Sequence, residues 1–480
     1  MSNAARRLLV FGLGGLAAAA LSCGGDDPLP APQDRTGLTR VSGPTPFASG
    51  CEGAPQDGTH FRGAEVEPSL AVDPTDPAHL VAAWQQDRWS NGGASGIVSA
   101  VSRDGGRTWA RSVAPLSRCG GGTPSNGGDS ERASDPWVAI AADGTAYEAS
   151  LSFDRTSPAA AILVSRSTDG GATWGSPTTL ERDDDPDVTV DKGSITADPT
   201  DARLVYAVWD RLTGLSRNPP VGTGPTWFAR TLDGGGHWEP AKQIYDPGFD
   251  AQTIGNVIVV LPGGALVNLL VVITNASSRT PTERIAVMRS DDQGGNWGSP
   301  IVVADLIDPG VVDGTTALRT GALPSIAVDR ASGALYVAWA DARFGNGVRD
   351  AIVLSTSPDG GASWSPPAIV NGVPAAAAFT PVVAVAGGGR IGVLYADLRD
   401  DDPQRTLAHA WLATSADGGT TWHDAPLGGP FDLRGAPDAG GLFLGDYQGL
   451  VAQGDGFAAA VAIANTGDAG DPTDIYAATF

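Results

Sequence analysis

The stretch Ser102-Arg103-Asp104-Gly105-Gly106-Arg107-Thr108-Trp109 decides the architecture, because it returns five more times. The pattern Ser/Thr-x-Asp-x-Gly-x-x-Trp recurs at Ser167–Trp174, Thr231–Trp238, Ser290–Trp297, Ser357–Trp364 and Ser415–Trp422, with successive tryptophans 58 to 67 residues apart. Its chemistry is that of a hairpin turn. An aspartate accepts hydrogen bonds from the amides of its own turn, and the glycines supply the positive φ that a side chain would resist. The tryptophan opens the following strand and covers apolar surface between neighbouring sheets. Asp104, Asp169, Asp233, Asp292, Asp359 and Asp417 are therefore structural, as are Trp109, Trp174, Trp238, Trp297, Trp364 and Trp422. The tryptophans are expected to be buried.

Upstream of each box lies a second repeat: an apolar strand, a short turn often holding Asp-Pro or Gly, and another apolar strand. Pro68–Trp84 (PSLAVDPTDPAHLVAAW) and Pro324–Trp339 (PSIAVDRASGALYVAW) show it most plainly, and related pairs begin near Pro136, Gly193, Asn256, Pro381 and Asp446. Runs of this length broken by turn signals predict strands. Two strands here and two around the box make four per period, and four strands repeated radially make a propeller blade. Seven strand pairs accompany six boxes. The last pair, from Leu444 to about Asn465, is followed by a third strand, Asp474–Phe480, and needs an outer strand from elsewhere. Leu38–Ala48 (LTRVSGPTPFA) is expected to supply it, which would leave no open edge. The prediction is an all-β, seven-bladed propeller of four-stranded antiparallel blades, with six blades as the runner-up.

The boxes resemble the Asp-box, or BNR, repeats of the sialidase superfamily, and the blade pattern spans 38–480. Such boxes are specific for the fold and only weakly so for activity, since many non-hydrolytic propellers carry them. The resemblance implies, for an exo-α-sialidase, three arginines that clamp a sugar carboxylate, a tyrosine nucleophile activated by a glutamate, and an aspartate acid/base. Guanidinium–carboxylate pairing is strong and directional, which suits a clamp. A tyrosine nucleophile departs from the two-carboxylate rule of most glycosidases. Carried onto this chain, the set is partial. Phe61-Arg62-Gly63 stands where the family has Arg-Ile-Pro, and Tyr447-Gln448-Gly449-Leu450 where it has Tyr-Ser-x-Leu. Arg319 and Arg434 are the candidates to complete the clamp beside Arg62, with Tyr447 as nucleophile and Glu283, the only glutamate of the fourth blade, as its activator.

Topology gives a separate guide to the functional face. Inner strands start on the face opposite the boxes, so that face gathers Glu67, Asp135, Asp191 and Asp446 at strand starts. Asp87-Arg88, Asp154-Arg155, Asp210-Arg211, Asp341 with Arg343, and Asp397 with Arg399 join them at second-strand ends. Such a ring suits a charged sugar or a cation, but its repetition in five blades favours bridges between neighbouring blades, because a ligand site is rarely repeated around the whole ring. The four residues Arg62, Arg319, Arg434 and Tyr447 are expected to be dispersed around this face, each arginine held by an acid. Asp183-Asp184-Asp185-Pro186-Asp187 has the oxygen density calcium prefers, making Asp183, Asp185 and Asp187 the candidate ligands, although the spacing matches no named calcium loop. No cofactor is required beyond such an ion. Zinc-spaced His/Cys clusters, phosphate-binding glycine loops and Gly-x-Ser-x-Gly elbows do not occur in the sequence.

Composition fits an exported β-protein. Hydrophobic residues make up 41% and charged residues 18%, enough for a large core. The 65 glycines and 36 prolines imply many tight turns. A net charge of −23 argues against a nucleic-acid partner, which needs a basic surface. Lysine occurs only at Lys192 and Lys242, a bias read as a coding preference. Arg6-Arg7, an apolar run to Leu21, and Ser22-Cys23-Gly24 resemble an export signal ending in a lipobox, with Ala20 where leucine is usual. On that pattern 1–22 is a signal peptide, Cys23 is lipidated and begins a linker over 23–37, and the protein is an outer-membrane or cell-surface lipoprotein. Ordinary cleavage would make it periplasmic or secreted. Cys51 and Cys119 then remain, and an even pair in an exported chain predicts a disulfide. The ligand is expected to be a glycan or a surface protein, bound by a monomer that meets the membrane through its lipid alone.

Overall fold

The computed structural model describes residues 35–214, 222–313, 316–321, 323–401 and 405–480. The export signal and Cys23 lie outside the described residues. Among the described residues, all strands but Thr223–Gly224, Val312–Asp313 and Thr316–Ala317 fall into seven groups of four, arranged as the blades of a β-propeller. The first comprises His60–Val72, Leu80–Trp89, Ala94–Ser102 and Ala110–Ser112, paired antiparallel in that order. Inner strands of the following blades are Arg132–Ile140, Val188–Ala197, Ala251–Val260, Ser325–Val328, Ala378–Ala386 and Gly449–Gln453. In the last group, Gly449–Gln453, Gly456–Ala464 and Thr473–Thr479 are completed by Thr39–Arg40, which pairs antiparallel with Thr473–Thr479 through Thr39–Ala477 and Arg40–Tyr476. The closing strand is shorter than the expected Leu38–Ala48. After Arg40 the register breaks, because the Val41 and Ser42 amides both donate to the Ile475 carbonyl, at 2.8 and 3.3 Å.

Each box forms the turn between a third and a fourth strand. In the first, Asp104 Oδ1 accepts from the Arg107 and Thr108 amides (3.0 and 2.9 Å), and Asp104 Oδ2 accepts from the Thr108 hydroxyl (2.6 Å). Ser102 Oγ accepts from the Gly106 amide at 2.8 Å. The bonds from the amide and hydroxyl of the residue four on recur at Asp169, Asp359 and Asp417.

The box tryptophans are half-buried instead of buried, which corrects the expectation above. They open outer strands at the blade rim, where the indole must keep its N–H satisfied. Trp109, Trp364 and Trp422 donate to the carbonyls of Gly106, Gly361 and Gly419 at 3.0, 3.2 and 3.1 Å. The fully buried tryptophans are Trp84, Trp209 and Trp339, all in second strands and packed between blades. Cys51 and Cys119 form the expected disulfide, which ties the segment after the closing strand to the first blade.

Five of the seven inner strands share one irregularity that positions the site. A single residue in the left-handed region breaks their register: Glu67 (φ 55°), Asp135 (52°), Lys192 (47°), Gly255 (71°) and Thr380 (52°). Each falls at a bulge against the second strand of its blade. Bulges re-aim a side chain, and non-glycine residues with positive φ persist only where their surroundings hold them.

Candidate functional site

At the axis the bulges bring together acids that the sequence separates by hundreds of residues. Lys192 Nζ sits among them, 2.8 Å from Asp135 Oδ1, 2.7 Å from Asp446 Oδ2 and 3.5 Å from Glu67 Oε1. Arg319 Nη2 also reaches Asp446 Oδ2, at 3.0 Å. The Asp446 amide donates to Glu67 Oε1 at 3.2 Å, and Gln85 donates to Glu67 Oε2. Arg88 in turn donates to Gln85 Oε1 at 2.6 Å. Phe443 packs under two of the cations, with Arg319 and Arg88 lying 4.3 and 5.0 Å from its ring centre. Two glycines permit the convergence. A Cβ on Gly445 would meet Glu67 Cα at 2.9 Å, and one on Gly321 would meet Asp446 Cα at 2.8 Å.

Burial sets the electrostatics. Glu67 is 1% exposed, and desolvation pushes its carboxyl up to about 7 against the pull of Lys192. Desolvation, reinforced by Asp135, likewise pushes Asp191 up to about 6. Burial also acts to raise Asp446, but Arg319 and Lys192 outweigh it and hold that carboxyl below the usual range. Lys192 is held well above the ordinary lysine value: desolvation opposes its charge, and Asp135, Asp446 and Glu67 more than restore it.

Tyr447 lies against this cluster, with its ring edge-on to Trp137 and 5.8 Å from Lys192 Nζ. Its hydroxyl donates to the Pro136 carbonyl at 3.1 Å. Burial, then the charges of Glu67, Asp135 and Asp446, raise the phenol well above its ordinary value, so it holds its proton. Asp135, Trp137, Lys192 and Tyr447 also line an axial cavity of about 150 Å³ bounded by residues of all the inner strands.

Of the four residues expected to be dispersed, the structure brings Arg319 and Tyr447 to this cluster and leaves the arginine clamp unassembled. Arg62 bonds to the Phe47 carbonyl at 2.6 Å and stands 4.0 Å from Asp87. Arg434 pairs with Asp432 two residues before it. Glu283 sits in the third strand of the fourth blade, Thr282–Ser290, whereas the carboxylates acting most strongly on Tyr447 are Glu67, Asp135 and Asp446. The acidic run does not gather as a cation site. Asp183 pairs with Arg211 at 2.5 Å, and Asp183 and Asp185 each accept the amide two residues on, at 2.9 Å. The five acid–arginine pairs do not act alike. Arg343 and Arg399 bind Asp341 and Asp397 of their own strands, while Arg211 reaches Glu181 of the preceding blade. Lys192 is the residue that sequence reasoning missed. Its signal was present as one of only two lysines, set beside Asp191 at an inner-strand start.

The fold is a β-propeller, and its axial cluster is a buried charge network lining the central cavity. Residues 226–439 match the BNR repeat-like domain. No curated protein matches its sequence. Among solved structures it is similar to an ulvan lyase bound to a saccharide of glucuronic acid and sulfated rhamnose, at 12% identity over 89% of this chain and 98% of that one, with a TM-score of 0.50. It is also similar to a Hadza microbial sialidase (17% identity, 84% and 75% covered, TM-score 0.47). An α-L-arabinanase of Penicillium chrysogenum complexed with arabinobiose is a third (16% identity, 76% and 94% covered, TM-score 0.48).

Proposed function

We propose that the axial cluster is a carbohydrate-binding site, entered from the face opposite the boxes. The observation that carries this reading is the non-repeating, buried charge network on Lys192, which lies over the ring of Tyr447, itself edge-on to Trp137. Acid and amine groups held in place by one another make a preorganised set of acceptors and donors for sugar hydroxyls. Arg319, whose side chain keeps 25% of its exposure, is the cation placed to meet an anionic group on the sugar. The saccharide bound by the ulvan lyase is of this charged kind. A glycan-array screen of the purified chain tests the proposal, followed by calorimetry on the best ligand. Arg319→Gln is expected to weaken binding at least tenfold; the absence of any saccharide ligand would overturn the reading.

A second reading, hydrolysis of a terminal sugar in the manner of an exo-α-sialidase, is favoured by the closeness of Tyr447 to Glu67 and Asp135. Against it stand the unassembled clamp and a phenol that holds its proton. Turnover of a fluorogenic sialoside that is lost in Tyr447→Phe would establish it. We also propose export and lipidation at Cys23. The Cys51–Cys119 disulfide supports an oxidising compartment, and metabolic labelling with a fatty-acid probe tests the lipid.

A further inference from the structure

The seam where the last blade meets the first holds a group of acids that the axial site does not use. Oxygen atoms of Glu65, Asp471 and Asp474 lie within 4.8 Å of one another. Glu65 belongs to the inner strand of the first blade and Asp474 to the third strand of the last, and the bridge between Ala64 and Thr473 sets their neighbouring backbones side by side. Asp471 comes from the loop just before that third strand.

These carboxylates are incompletely answered. Asp474 accepts from Ser42 Oγ at 2.6 Å and from Asn465 Nδ2 at 2.8 Å. One guanidinium serves both aspartates: Arg40 Nη2 lies 2.5 Å from Asp474 and 2.7 Å from Asp471. Glu65 is 0% exposed; its Oε1 accepts from Gln86 at 2.8 Å, and its Oε2 is buried without a hydrogen-bond partner. A buried carboxylate oxygen left unpaired is costly unless a proton or a cation meets it. Burial, with Asp474 and Asp471 beside it, pushes the Glu65 carboxyl well above the usual range in the absence of a cation. Three ionised carboxylates less one guanidinium leave two negative charges, the complement of one divalent ion.

We propose that Glu65, Asp471 and Asp474 bind a divalent cation of the calcium class, which clasps the last blade to the first. All three side-chain ligands are hard oxygens, and no nitrogen or sulfur joins them, which disfavours zinc. Calcium tolerates irregular geometry and takes carboxylates, carbonyls and water together, whereas magnesium demands a near-ideal octahedron. The site lies away from the acidic run at Asp183, which is spent on its own turn and on Arg211.

The test uses the full chain, stripped with a chelator and titrated with calcium chloride by calorimetry, with melting curves recorded alongside. One ion per chain is expected to bind, with a rise in melting temperature that chelator reverses. Glu65→Gln is expected to weaken calcium binding at least tenfold and to remove the thermal shift. Asp471→Asn, at a half-exposed position, gives the same reading should Glu65→Gln fail to fold. Arg40→Gln, which removes the competing guanidinium, is expected to tighten binding severalfold. The proposal is overturned if the stripped chain binds no calcium at about 10 mM, beyond the weak end of extracellular sites. It is equally overturned if Glu65→Gln and Asp471→Asn bind calcium as the parent does.

Discussion

Asp104 sits on an exposed turn, where the hydroxyl and amide of Thr108 hold its carboxyl at about 2. Glu67, buried at the axis, is pushed by desolvation up to about 7. The two regions use acids for opposite ends. On the box face, an ionised carboxylate replaces missing turn partners, and the same arrangement serves six blades. At the axis the repeated element is the backbone bulge, while the residue placed on it changes from blade to blade: Glu67, Asp135, Lys192, Gly255, Thr380. Repetition of side chain and backbone together marks scaffold. Repetition of backbone with a varying side chain marks the place where one blade is made to differ from the next.

The largest effect separating the regions is expected from Lys192→Met. Removing the ammonium leaves Asp135 without its ion pair and Asp446 with Arg319 alone, and breaking a buried ion cluster in this way costs about 3–5 kcal/mol. Urea unfolding measures it, and a loss below about 1 kcal/mol would mean that the axial acids are not held by Lys192.

Glu148 asks whether burial alone raises an acid away from the axis. Desolvation, eased only by the Ser99 hydroxyl, lifts its carboxyl from 4.5 to about 7. The folded chain thus holds this proton more tightly than the unfolded one. Its contribution is complete below pH 4.5 and is lost as pH rises through 7. Glu148→Gln is therefore expected to stabilise the protein at pH 8 by on the order of 3 kcal/mol and to leave it unchanged near pH 4. Unfolding curves at the two pH values decide it.

Trp364→Ala should cost about 2 kcal/mol, below the range for a fully buried indole because the ring is half-buried. Thermal melts against the parent measure it, and saccharide binding should be unchanged. The smallest effect is expected from Asp359→Ala, a fall in melting temperature less than that of Trp364→Ala. The Ser363 hydroxyl and amide hold Asp359 at about 2, so its contribution is present above the ordinary carboxylate value and lost as pH falls through 2. Parent and variant should converge in melts near pH 2.

Much of this contrast was legible in the sequence, and unevenly so. The box turns could be read because each is local: Ser102, Asp104, Gly106 and Thr108 bond to one another. The outer position of Trp364 was not legible, since a tryptophan after a turn looks alike whether it faces a core or a rim. At the axis, Glu67, Asp135, Asp191 and Asp446 were visible as acids at strand starts. Lys192 was visible only as a rare residue, because its bond to Asp446 spans 254 positions and depends on a left-handed backbone that Asp191-Lys192-Gly193 does not announce. Tyr447 and Arg319 carried a family resemblance, but their surroundings come from other blades.

The pairing of Thr39–Arg40 with Thr473–Thr479 bears on how the molecule is made. A ribosome emits the closing strand before any blade and its partner after the other six, so the ring stays open while those blades emerge. Contacts so distant in sequence are slow to form, and the strand edges at the gap remain exposed to neighbours until they do. Each new blade leans only on the one before it until the next emerges, and the final pairing is what converts a row of sheets into a closed circle. Closure is thus a single late event, and the interval before it is when the chain most needs protection from its own copies.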